Sequence, residues 1–92
     1  MPIDRASTPR RNEQVISQSF EDTLLLLHPT TGEYYSLDEV GGRVWELCDG
    51  TRSVAQVIAT IDEEFDAPMA EIAADVLELL GELADEQLVV AA

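Results

Sequence analysis

The sequence changes period at Leu37-Asp38, and that change constrains the fold more than any other feature. Glu33-Tyr34-Tyr35-Ser36-Leu37 alternates and is rich in aromatics, as a short strand does, whereas Val40, Val44, Leu47 and Cys48 recur at helical spacing. Asp38 stands between them. Its carboxylate can accept the free N–H groups of a first helical turn, and Asp49-Gly50 follows as a stop. Strands are therefore expected upstream of this point and helices downstream.

Upstream, Gln14–Phe20 carries the β-branched pair Val15-Ile16, and Thr23-Leu24-Leu25-Leu26-Leu27-His28 follows the acidic turn Glu21-Asp22. Leucine alone would favour a helix, but the segment is short and is closed by Pro29-Thr30-Thr31-Gly32, where Gly32 can take a positive φ. Residues 14–20, 23–28 and 33–37 are thus expected to form an antiparallel meander. Four consecutive leucines imply that its middle strand is covered on both faces or meets a partner on one. Residues 1–12 hold two prolines and little apolar content, and are expected to be a flexible tail before a domain at 13–92.

Downstream, helix one is expected over about residues 38–48. Gly41-Gly42 inside it costs about 1 kcal/mol per glycine relative to alanine, so a close neighbour is expected at that turn. Ser53-Val54-Ala55-Gln56 has the form of a capping box for helix two, whose apolar face is Val54, Val57, Ile58, Ile61 and Phe65. Asp62-Glu63-Glu64 reads as its solvated end. Helix three runs from Pro68 to about Asp85, with Met69, Ile72, Val76, Leu80 and Leu83 as its central stripe and Glu71, Asp75, Glu78 and Glu82 opposite. Small residues lie on one flank. Ala70, Ala73, Ala74 and Gly81, with Leu77, form a shallow trough that another packed element or a ligand would fill equally well. Gln87-Leu88-Val89-Val90 reads as a short closing strand or an extended tail.

Function classes are narrowed by charge. Nineteen acids against five arginines and no lysine give a net charge of −14. Such a surface repels phosphate backbones and anionic membranes, whose binding rests on Lys and Arg displacing counterions, so neither a nucleic acid nor a membrane is an expected partner. A basic peptide or basic protein patch would suit it, and the acids also serve solubility. The longest unbroken apolar run, Leu24–Leu27, is far too short to cross a bilayer. His28 is the single histidine and Cys48 the single thiol, in different elements, so no metal site is expected. No phosphate loop and no nucleophile with a base can be found, so neither a cofactor nor an independent enzyme activity is expected. One cysteine and no leader-like segment point to a cytoplasmic location.

Thr31-Gly32-Glu33-Tyr34-Tyr35-Ser36-Leu37-Asp38, Val44-Trp45-Glu46-Leu47, Asp49-Gly50-Thr51-Arg52-Ser53-Val54 and Asp75-Val76-Leu77 to Leu83 resemble the pyrroloquinoline quinone biosynthesis protein D family over about residues 14–90. That family includes recognition domains of ribosomally made, post-translationally modified peptide (RiPP) pathways. Two positions depart from it. Asp38 stands where asparagine is common, and Gln87 where the family usually turns on glycine.

The resemblance implies an α+β, winged helix-turn-helix-like domain: a three-stranded antiparallel meander followed by three helices. It implies binding of a precursor leader peptide as a strand added to the third strand, against the third helix. The site residues are then Glu33, Tyr34, Tyr35, Ser36 and Leu37 on the strand, with Ala70, Ala73, Ala74, Leu77 and Gly81 on the helix. The Thr-Gly-x-Tyr-Tyr pattern looks closest to the discrete leader-binding proteins of split lasso-peptide systems, which hand the peptide to a leader peptidase. The runner-up is a peptide chaperone for a radical SAM enzyme of a quinone-cofactor pathway. Two other classes stay in view: a winged-helix DNA-binding regulator, opposed by the acidic third helix, and a homodimer that uses the same strand edge on a second copy.

Overall fold

The computed structural model describes residues 3–91. Its elements are β1 (Pro9–Arg11), β2 (Ile16–Phe20), β3 (Thr23–Leu27), β4 (Tyr34–Leu37), α1 (Glu39–Leu47), α2 (Val54–Glu64), α3 (Met69–Asp85) and β5 (Val89–Ala91). The chain has the expected α+β architecture, with the antiparallel meander β2-β3-β4 leading into three helices. Tight turns set its register. Glu21, with φ 56°, lies between the paired residues Phe20 and Thr23. Gly32, with φ 76°, lets its N–H reach the His28 carbonyl while the His28 N–H reaches the Glu33 carbonyl, each at 2.9 Å.

Leu26 pairs with Ser17 on one side and Tyr35 on the other. Because side chains alternate along a strand, Leu24, Leu26, Tyr35 and Leu37 turn toward the helices and Leu25, Leu27, Tyr34 and Ser36 turn away. Leu26 is completely buried, whereas Leu25 and Leu27 keep 40% and 37% of their surface exposed. Helices therefore cover only one face of the leucine strand.

Three caps define the helices. Asp38 Oδ1 accepts the Gly41 N–H at 2.8 Å, and the Ser53/Gln56 capping box is complete in both directions, at 3.1 and 2.8 Å. α3 closes on Gln87, whose φ is 61°. The Leu88 N–H reaches the Leu83 carbonyl at 2.8 Å and the Gln87 N–H reaches that of Ala84 at 3.0 Å, a Schellman arrangement with Leu83 and Leu88 buried beside it. A glutamine thus holds a left-handed position that suits glycine.

The core joins Leu26 to Val44, Trp45 and Leu47 of α1, Val57, Ile58 and Ile61 of α2, and Val76, Leu80 and Leu83 of α3. Cys48 is buried among them, and desolvation pushes its thiol up to about 12. The close neighbour expected at Gly41-Gly42 is the sheet: a Cβ on Gly41 would lie 3.3 Å from Leu37 Cβ, and one on Gly42 3.6 Å from Leu24 Cβ.

Three expectations change. Met69 is 48% exposed, since burial along α3 begins one turn later at Ile72. Glu64 is not simply solvated: its two carboxylate oxygens take the Arg43 guanidinium at 2.7 and 2.9 Å, tying α2 to α1. The described part of the expected tail, residues 3–12, is bound to the fold. β1 pairs with β5, Pro9 is buried, and the Arg11 guanidinium donates to the Trp45 and Glu46 carbonyls at the end of α1. The Ser7 and Arg5 carbonyls accept the Val54 and Ala55 N–H groups at 2.8 and 3.0 Å, two donors that a helix start leaves without partners. Met1, Pro2 and Ala92 lie outside the described residues.

Candidate functional site

Among the described residues β4 pairs only with β3, and its other edge is open. The direction of its backbone groups follows from one bond. Because the Glu33 carbonyl accepts from His28, residues 33, 35 and 37 aim their N–H and C=O groups at β3, and alternation aims those of Tyr34 and Ser36 at the open edge. The two residues that could pair with another strand are therefore named by register. Tyr34 is 74% exposed and Ser36 is exposed, so nothing among the described residues covers them.

Beside this edge runs a groove of about 560 Å³ between β4, the start of α1, the end of α2 and one flank of α3. Leu37, Ile61, Ile72 and Val76 form its buried floor, while the half-buried Val40, Phe65 and Leu79 offer reachable apolar surface. Its charged lining residues are Asp38 and Asp75. Further along, Tyr35 faces the same helix flank. Its phenol is raised above the usual value by partial burial first, and then by the carboxylates of Glu86 and Glu33.

Of the ten residues expected to form a site, the strand members are where the alternation put them. Leu37 is buried in the floor, Tyr35 is half-buried, Tyr34 and Ser36 face out, and Glu33 stands at the strand's start. The helix members are not beside β4. At about 100° per residue, Ala70, Ala74, Leu77 and Gly81 lie across α3 from Ile72, Asp75 and Leu79, which line the groove. Leu77 lines a shallow pocket with Ile3, Asp4, Arg5 and Ala6 instead, and Ala73 is buried in the core. The N-terminal segment stands beside that flank at Leu77, while Ala70 and Ala74 stay exposed and a Cβ on Gly81 would meet nothing within 4 Å. A helical projection yields two flanks beside one apolar stripe and does not say which one the sheet takes. Asp75, Leu79, Ile72 and Phe65 were consequently missed as groove residues. Leu79 carried a signal, being a large apolar residue outside the central stripe.

Residues 23–89 match the family described as coenzyme PQQ synthesis protein D (PqqD). The chain belongs to this family. It is 41% identical over 88 residues to the PqqA binding protein of Xanthomonas oryzae pv. oryzae, covering 94% of each chain. With the PqqA binding protein of Rhodopseudomonas palustris it is 45% identical over 49 residues, 53% of this chain, and it spans about half (48%) of that relative's length. TbiB1 in complex with the TbiA(β) leader peptide is similar in structure, with a TM-score of 0.76, 29% identity, and 87% of this chain and 93% of that one covered. So is the PqqD truncation of Methylobacterium extorquens PqqCD, a stand-alone RiPP recognition element, with a TM-score of 0.77, 28% identity and coverages of 96% and 94%. The PqqD-type fold thus comes with an open β4 edge and an apolar groove in this chain. Among the described residues, no helix is long and apolar enough to cross a membrane.

Proposed function

We propose that this PqqD-family chain binds the leader segment of a ribosomally made precursor peptide and presents it to a separate processing enzyme. The leader adds as a strand to β4, its backbone pairs with Tyr34 and Ser36, and alternate side chains enter the groove between β4 and α3. The observation that carries this reading is the juxtaposition of two outward-facing residues of backbone with an apolar groove on one side of them. The relatives support it, since one solved neighbour holds a leader peptide and the curated relatives are PqqA binding proteins. The chain itself catalyses nothing in this account. It raises the local concentration of the peptide at its enzyme.

The enzyme in this proposal is a lasso-peptide leader peptidase, a reading favoured by the Thr31-Gly32-Glu33-Tyr34-Tyr35 pattern and in keeping with the likeness to TbiB1 in complex with a leader peptide. A second reading, in which the chain serves a radical enzyme acting on a PqqA-like peptide, is favoured by the 41% identity to a PqqA binding protein. Calorimetric titration with the leader and core halves of a PqqA-type and of a lasso-type precursor peptide tests the shared claim. Binding of the leader half alone is expected, and binding of the core half alone would overturn it.

A further inference from the structure

We propose that the groove beside β4 selects leader segments carrying Lys or Arg next to apolar residues, with Asp75 as the residue that reads the positive charge. The inference rests on the strand-addition reading above and adds the chemical class of peptide.

Every charge in the groove lining has one sign. Asp38 is already engaged as the cap of α1 through the Gly41 N–H at 2.8 Å. Asp75 is exposed and has no hydrogen bond or ion pair among the described residues. Three arginines are spent elsewhere: Arg11 at the end of α1, Arg43 on Glu64 and Glu46, and Arg52 on Asp49. Arg5 stands by Leu77, on the far flank of α3. A strand docked on β4 therefore meets an unanswered carboxylate and no cation in the groove.

The floor narrows the choice further. Leu79 and Phe65 lie half-buried in the same lining as the exposed Asp75. A Lys or Arg stem can lie along such apolar surface while its charged head stays at the wet rim, which a glutamate or aspartate side chain is too short to do and would be repelled in attempting. Glu82 lies on the same side of α3 as Asp75, about 10 Å further along at 1.5 Å per residue. A second basic residue three or four places along an extended peptide would reach it. The positive charge also steers the peptide toward a chain of net charge −14.

The test is selection of phage-displayed random twelve-residue peptides on the immobilised protein, followed by anisotropy titration of the enriched sequences. Parent protein is expected to enrich peptides with Lys or Arg at a fixed distance from an apolar residue, and Asp75→Lys to enrich Asp or Glu there. Replacing that Lys by Gln in an enriched peptide should weaken binding to the parent about fivefold, the effect of a partly exposed ion pair, and leave binding to Asp75→Asn unchanged. Enriched peptides that slow exchange at β4 but show no basic bias, or whose Lys contributes equally with Asp75→Asn, overturn the charge inference and leave strand addition standing. No enrichment over a protein-free control, or exchange protection away from β4, overturns strand addition and this inference with it.

Discussion

Proline at Ser36 separates the proposed binding edge from the strand that carries it. The Ser36 N–H points away from β3, so its loss removes no bond to Leu25 opposite, and an edge strand admits proline on that side. The fixed φ of proline, and its demand that Tyr35 stay extended, are close to what β4 already has. Folding free energy is accordingly expected to change by no more than about 1 kcal/mol. A docked peptide suffers more. It loses one amide donor, and the peptide carbonyl that this donor served is left facing a ring methylene, for about 2–3 kcal/mol in all. That is a weakening of about thirty- to a hundred-and-fiftyfold. Ser36→Ala keeps the amide and is expected to stay within about twofold of the parent. Anisotropy titration with a labelled leader peptide, run beside thermal melts, gives both numbers. A Ser36→Pro protein that melts like the parent and binds as tightly would refute strand addition at this edge.

Gln87→Gly is expected to stabilise the protein by about 0.5–1 kcal/mol, read by urea denaturation, because glycine takes the left-handed turn without a Cβ clash. Deleting residues 1–8 should destabilise it by about 1–3 kcal/mol, since the Val54 and Ala55 amides lose the Ser7 and Arg5 carbonyls. Leu26→Ala, at 0% exposure, should cost about 2–5 kcal/mol, whereas Leu25→Ser on the open sheet face should cost far less. Asp49 is held down to about 2 from 3.8, first by the Thr51 hydroxyl and amide and then by Arg52. Its folded value lies below its unfolded one, so its contribution to stability is present above pH 3.8 and fades as pH falls toward 2. Thr51→Val should move its titration upward, as followed by carboxyl-carbon NMR.

The parts of this fold legible in the sequence are those governed by short-range chemistry. The change of period at Leu37-Asp38, the Ser53/Gln56 box and the positive-φ turn at Gly32 are each decided within a few residues, and each is found where expected. Helix three was legible as a helix with an apolar stripe, but not in its rotation against the sheet. A helical projection leaves two flanks open to the sheet, and the N-terminal segment, which lies by Leu77, gave no sign of being structured. It is held by the carbonyls of Arg5 and Ser7, by Arg11 on the end of α1, and by pairing of β1 with β5. None of these depends on an apolar pattern, so composition alone reads the stretch as tail. The Asp75 side of the groove stayed hidden because a helical projection does not fix which flank meets the sheet.

Residue-resolved amide exchange across β4, with and without a leader peptide, tests the central claim most directly. The Glu33 carbonyl fixes the register, so the Tyr34 and Ser36 amides are open in the free protein while those of Tyr35 and Leu37 are already paired to β3. Strand addition predicts that the leader slows exchange at Tyr34 and Ser36 by at least tenfold, with much smaller changes at Tyr35 and Leu37. Equal slowing along the whole strand, or slowing confined to the Ala70–Ala74–Leu77–Gly81 flank of α3, would contradict the account.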